Sequence, residues 1–243
     1  MLSITSLWLT VFAALAYFAE SVFGFGGTLI FITGSAFFTD FKTVLYLSIY
    51  VSLVASTCIF IKDYRYISWA KLGRILLMTA PSVVIGTMLM EVFSPKWLLV
   101  VFAFLLIAYA LQGLLLPKLV LPRHLRKGFI ALGGLVQGLY STGGPFVMMG
   151  SQAEFKNKSE LRCVMAGFFM MTNFFRIVQG EVQGNGALAT IIDYLWLAVP
   201  VVIAVQVGHY VHNLISEQAF RKGVLLLILC AGLVMIAKSL FAG

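Results

Sequence analysis

Glu20, Asn173 and Arg176 stand inside long apolar runs of the chain. Ionisable and strongly polar groups are costly in such surroundings, so a functional role is the default expectation for them. The chain also holds two short glycine-rich stretches, ESVFGFGGTLI at 20–30, which begins at Glu20, and QGLYSTGGPFV at 137–147. Aligned without a gap, they match at Phe23/Tyr140, Gly26/Gly143 and Gly27/Gly144, with polar Glu20 opposite polar Gln137. Glycine weakens a helix interior and removes the side chain that keeps neighbours away. Pro145 lacks a backbone donor but suits the first turn of a new helix. Each stretch therefore reads as a break: one helix stops, a few residues unwind, and another starts near Thr28 or Pro145. The competing reading is close helix packing through small residues.

Such breaks can bind an anion. A helix N-terminus carries unpaired N–H groups and about half a unit of positive charge. Two of them facing a narrow gap suit a small anion with several oxygens, such as sulfite, a sulfonate or a carboxylate. Gly24, Gly26, Gly27, Gly143 and Gly144 would let the ligand approach the backbone. Thr28, Ser141 and Thr142 would add hydroxyl donors. Arg176 reads either as an anion-attracting charge or as a side chain snorkelling to the headgroups. Asn173, one turn earlier, either joins it or makes a helix–helix hydrogen bond; its counterpart in the repeat is Ser56. Glu20 reads as a proton-linked gate, as a partner for a basic group such as Arg176, or as a protonated packing residue. Gln137 cannot titrate, so a proton role would belong to one half only. Gln206 and Gln152 are further cavity candidates. His209 and His212 share a helix face with no third ligand nearby in sequence, so no metal is expected.

The elements that position these residues must be membrane spans. The chain has 243 residues, 61% hydrophobic and only 11% charged, with a mean hydropathy of +1.00. Soluble domains carry about a quarter charged residues. The net charge of +8 sits in short connections between apolar runs, which points to cytoplasmic loops and not to nucleic acid. Cys58, Cys163 and Cys230 are far apart in apolar runs and read as core residues. The N-terminus has no basic region, so residues from Ser6 onward read as a retained span. Residues 6–39 as one helix would run about 51 Å, against a hydrocarbon core of about 30 Å, so that run must break. Spans follow at 44–61, 75–90 and 98–116, with basic connections at 62–74 and 117–127. The second half repeats the plan at an offset of about 117 residues: a broken run at 128–153, a basic connection at 154–162, spans at 163–180, 194–211 and 223–237, and a connection at 212–222 holding Arg221 and Lys222. The loop 181–193 between them is glycine-rich and slightly acidic. If each broken run crossed once, the basic connections would fall on both faces. If each enters and returns as a hairpin, all four lie on one side and both termini on the other. The second arrangement is expected.

With these residues in view, the chain resembles the TauE/SafE family of sulfite exporters and related permeases. The resemblance is carried by FGFGG at 23–27 with Thr28, Leu29 and Ile30 after it, and by STGGP at 141–145. The doubled layout extends it across nearly the whole chain. Thr28 departs from the family pattern, standing where a third glycine or proline is often found, which alters the shape of the first tip. The resemblance implies an inner-membrane permease for sulfite, sulfonates or sulfoacetate-like anions, working as an exporter.

The expectation is thus an all-α integral membrane protein of two inverted repeats, 1–121 and 122–243. Each repeat is a broken, re-entrant-like hairpin plus three transmembrane helices. Alternating access at a central site would move a small anion. The substrate-binding candidates are Gly24, Gly26, Gly27, Thr28, Ser141, Thr142, Gly143, Gly144, Asn173 and Arg176, with Glu20 and Gln137 as gating candidates. The rival readings are a carboxylate permease and a non-transporting membrane subunit. An enzyme would need a nucleophile–base or metal constellation that the sequence does not offer. No cofactor is expected; the partners are the anion, the bilayer and, compatibly, further copies of the chain. The expected location is the bacterial inner membrane, multi-pass, with both termini on the non-cytoplasmic side.

Overall fold

Apolar surroundings leave a backbone no partner but itself, and the described residues form helices without any strand. The structure is a computed structural model describing residues 4–116, 121–151, 154–184, 187–211, 225–226, 229–230 and 232–237. Gln152, His212, Arg221 and Lys222 lie outside the described residues. The order is α1 (Ile4–Phe23), α2 (Gly27–Ser35), α3 (Phe41–Asp63), α4 (Trp69–Val92), α5 (Pro95–Leu115), α6 (Arg123–Tyr140), α7 (Gly144–Ser151), α8 (Lys158–Val182), α9 (Ala187–Asp193) and α10 (Ala198–Val211). Helices α1, α3, α4, α5 and α8 are long and apolar enough to cross a bilayer.

The helix boundaries recur at one offset. Phe23 and Tyr140 end α1 and α6, Gly27 and Gly144 begin α2 and α7, and Phe41 and Lys158 begin α3 and α8; each pair is 117 positions apart. The caps recur too. Asp40 accepts from the Thr43 N–H at 3.0 Å, and Asn157 accepts from the Glu160 N–H at 2.8 Å. Both satisfy an orphan donor of a helix start, and they also stand 117 positions apart.

Each short helix runs back along its predecessor. A Cβ added at Gly27 would meet Glu20 and the Ala16 carbonyl, and one at Gly34 would meet the ring of Phe12. In the second half, Gly143 abuts the Gly133 carbonyl and Gln137, while Gly150 abuts Arg126 and Ile130. Some glycines do serve close packing. Gly86 on α4 meets Gly138 and Leu135 on α6, and Gly134 meets Thr79, so α4 and α6 touch backbone to backbone.

Several spans extend further than the hydropathy suggests. Lys71 and Arg74, expected in a connection, lie on α4; Lys158 and Arg162 lie on α8. The charges of Lys71, Arg74 and Arg162 find partners, which lets the helices continue into polar sequence: Lys71 with Glu160 at 2.7 Å, Arg74 with Glu154 at 3.0 Å and Arg162 with Asp63 at 2.7 Å. The expected loop 181–193 contains the end of α8 and all of α9. Helix α8 packs on α3, α4 and α9, and brings Arg162, Phe169, Asn173 and Arg176 to the two breaks.

Candidate functional site

At the first break, Gly24 (φ +84°) and Gly26 (φ +92°) take left-handed conformations that favour glycine. The Gly24 N–H closes α1 by donating to the Glu20 carbonyl at 2.6 Å. The Glu20 carboxylate swings to the start of α2 and accepts from the backbone N–H groups of Gly27 and Thr28. At the second break, Ser141 takes the left-handed position instead (φ 56°), and it caps α6 as Gly24 ends α1. The Gln137 side chain does the work of Glu20: its Oε1 accepts from the Gly143 N–H at 3.0 Å. The sequence pairing of Glu20 with Gln137 thus corresponds to a shared task, holding the turn shut.

One hydrogen-bonded chain joins the two breaks. Gln137 Nε2 donates to Thr172 Oγ1 at 3.2 Å and to Asn173 Oδ1 at 3.1 Å. Asn173 Nδ2 donates to Ser52 Oγ at 3.0 Å. Ser52 is hydrogen-bonded to Tyr17, whose hydroxyl lies 3.5 Å from Thr28 Oγ1. The breaks also touch directly, since a Cβ on Gly144 would sit 3.4 Å from Phe25 Cβ. Gly24, Thr28, Ser141, Thr142 and Gly144 are buried around this junction, and Gly26 is half-buried. Ser56, the repeat counterpart of Asn173, instead donates to the Leu53 carbonyl within its own helix. Ser52, one turn earlier, takes the place at the junction.

Arg176 supplies the charge. Its side chain is 1% exposed. One terminal nitrogen donates to Ser141 Oγ, the other lies 3.3 Å from Met90 Sδ, and Nε has no partner. Among the described residues, no carboxylate lies within 4.0 Å of the guanidinium. The carboxylate whose field reaches it is Glu91, which pairs with Lys42 at 2.8 Å and accepts from Tyr46. A buried cation without a paired anion is expensive, and an arriving oxyanion would relieve that cost. Planar guanidinium and hydroxyl donors side by side suit an oxyanion.

Comparison with known proteins bears on this geometry. Residues 9–235 match the family model Sulfite exporter TauE/SafE. The chain belongs to the TauE/SafE family. No curated protein and no solved structure matches it. The TauE/SafE match covers most of the chain, including both breaks and all of α8, and identifies a membrane transporter of the sulfur-anion class.

The left-handed Ser141 is a place where this TauE/SafE chain tolerates strain. A non-glycine residue there costs about 1–2 kcal/mol. Its twin position is Gly24, which has no such cost. The hydroxyl on Arg176 is the compensating feature. Ser141→Gly is therefore expected to unfold no more readily than the wild type, yet to bind and carry anion at least ~10-fold worse, the order of one charge-assisted hydrogen bond. Thermal unfolding and vesicle flux on the same preparation check both halves.

Sequence reasoning missed a second buried arginine. Arg162 pairs with Asp63 at 2.7 Å and donates to His209 Nδ1 at 2.8 Å, tying α8 to α3 and α10. Its stem lies under the first break: a Cβ on Gly24 would sit 3.2 Å from Arg162 Cγ. Arg162 and Asp63 read as connection residues because they flank apolar runs. The available signal was Asp63, a single acid in a basic stretch.

Proposed function

We propose that the protein carries a small sulfur-containing oxyanion, sulfite or an organosulfonate, outward across the bacterial inner membrane by alternating access between two inverted repeats. The observation that carries this reading is Arg176, fully buried against Ser141 at the second break with no described carboxylate beside it. Each repeat contributes a hairpin, α1–α2 and α6–α7, whose short arm starts inside the membrane. Thr28, Thr142, Gly143 and Gly144 complete the lining with Arg176, Ser141 and Asn173. Glu20 holds the first two amides of α2 and Gln137 holds the Gly143 amide just before α7, so guanidinium and hydroxyl donors make the first contact with the anion.

Burial of Arg176 supports alternating access, because an anion reaches it only when a hairpin moves. The antiparallel packing within each hairpin and the common offset of 117 positions support the repeat. The positive-inside rule supports outside termini, since it gathers the basic connections on one face. The basic inner loops would concentrate anions at the cytoplasmic mouth.

A thermal-shift panel on the purified protein tests the substrate class. A ligand at 100 times its Kd stabilises the folded state by about 2.7 kcal/mol. Sulfite, thiosulfate, sulfoacetate and taurine are set against sulfate and lactate. Stabilisation by sulfite, thiosulfate or the organosulfonates beyond that by sulfate and lactate supports the reading. Stabilisation by lactate alone would move the protein to carboxylates, and no response to any of them would count against an anion carrier.

A further inference from the structure

Glu20 is 2% exposed and its Oε1 has no hydrogen-bond partner. The carboxylate caps the first two amides of α2, a nine-residue helix. At the matching turn in the second half, neutral Gln137 accepts from the Gly143 N–H, just before α7, through its side-chain oxygen. Closing the turn therefore needs an acceptor and not a charge. What Glu20 has and Gln137 lacks is the ability to take up a proton.

We propose that Glu20 is the proton-binding site of the transport cycle, loaded together with the anion. This rests on the anion-carrier reading above. An ionised Glu20 is a tethered oxyanion on the helix start that an arriving anion would use, and two negative groups in one water-poor pocket repel strongly. A proton on the free Oε1 removes the repulsion and weakens the hold on the Gly27 and Thr28 amides. Anion and proton then enter from one aqueous face and leave to the other. On return, the ionised carboxylate recaps α2. A monovalent anion with one proton crosses without net charge.

The groups around Glu20 fit this role. Tyr17 faces it from α1, Thr28 from α2 and, through Tyr17, Ser52 from α3. Helix α10 brings His209, which is hydrogen-bonded to Arg162, itself paired with Asp63 below Gly24. The 3-10 turn Leu195–Leu197 on α1 brings no titratable group. Tyr17 and Thr28 also tie Glu20 to the chain reaching Asn173, so its protonation is felt at the anion site.

The test counts protons per anion bound. Methanesulfonate is the probe, because its own charge does not titrate near neutral pH. Calorimetry in buffers of different ionisation heat, across about pH 6–8, gives the number directly. The expected result is a maximum near one proton for the wild type and near zero for Glu20→Gln. Zero in the wild type, or an undiminished proton number in Glu20→Gln, would overturn the proposal and leave the carrier reading standing. Failure of the wild type to bind methanesulfonate, sulfite or thiosulfate would overturn the carrier reading itself. If Glu20→Gln does not fold, the wild type still decides through a hydrophobic carbodiimide, which reacts with protonated buried carboxyls. Methanesulfonate should accelerate labelling at Glu20 several-fold, and unchanged labelling would overturn the proposal.

Discussion

Arg176→Met is expected to abolish anion binding and to lower anion flux at least ~100-fold, while the empty protein unfolds at the same temperature or higher. The two halves of that result have one cause. In the wild type the guanidinium is buried with a hydroxyl and a thioether as its neighbours and no described carboxylate within 4.0 Å. Charge-assisted hydrogen bonds contribute roughly 1.5–3 kcal/mol each, so losing two to an oxyanion costs about 3–6 kcal/mol of binding. Each 1.4 kcal/mol is about tenfold in affinity. A methionine of comparable volume removes a buried, poorly compensated charge from the empty protein, and such replacements are often neutral or stabilising. Proteoliposome flux and thermal unfolding, measured on one preparation, read both. A variant that loses several kcal/mol of stability but still carries anion would show that Arg176 is a structural strut.

Asp63→Ala acts in the opposite sense. Asp63 and Arg162 are both buried and 2.7 Å apart, and Arg162 also reaches His209. Removing the carboxylate strands a buried cation, which costs about 3–5 kcal/mol. The loss falls on the fastening of α3, α8 and α10, directly beneath Gly24. The double variant Asp63→Ala with Arg162→Met should recover much of the deficit, because the stranded charge is gone. A double-mutant cycle by thermal or denaturant unfolding checks this. Equal, additive losses in the two single variants would mean that the pair contributes no coupling.

These opposite signs separate two arginines on one helix. Their positions, 162 and 176, are about 21 Å apart along α8 at 1.5 Å per residue. Arg162 has its counter-ion in Asp63, and Arg176 has no carboxylate within 4.0 Å among the described residues. In the proposed transport site, Arg162 marks a paired end and Arg176 the end that would receive the anion.

How much of this was legible in the sequence depends on the range of the interaction. The helix boundaries at the two glycine-rich stretches were legible because glycine and proline act locally. Helix ends at Phe23 and Tyr140, and starts at Gly27 and Gly144, follow from the same short patterns. The recurrence of helix ends at one offset was legible because two copies of one pattern reinforce each other. The pairing of Glu20 with Gln137 was visible as polarity, but its role was not. Capping across the turn depends on the short helix folding back, which residue types alone do not specify. The Asn173–Ser52 bond spans 121 positions, and the Asp63–Arg162 pair joins α3 to α8. No periodicity signals such contacts. The extra length of α4 and α8 was hidden for another reason: hydropathy stops at the first lysine or arginine, whereas a helix continues wherever its charges find partners.

The most direct measurement is an experimental density map of the protein with sulfite or thiosulfate bound. The anion is expected against the Arg176 guanidinium and Ser141 Oγ, at the junction where Phe25 meets Gly144. Anion density remote from both breaks, with Arg176 still held only by Ser141 and Met90, would contradict the account.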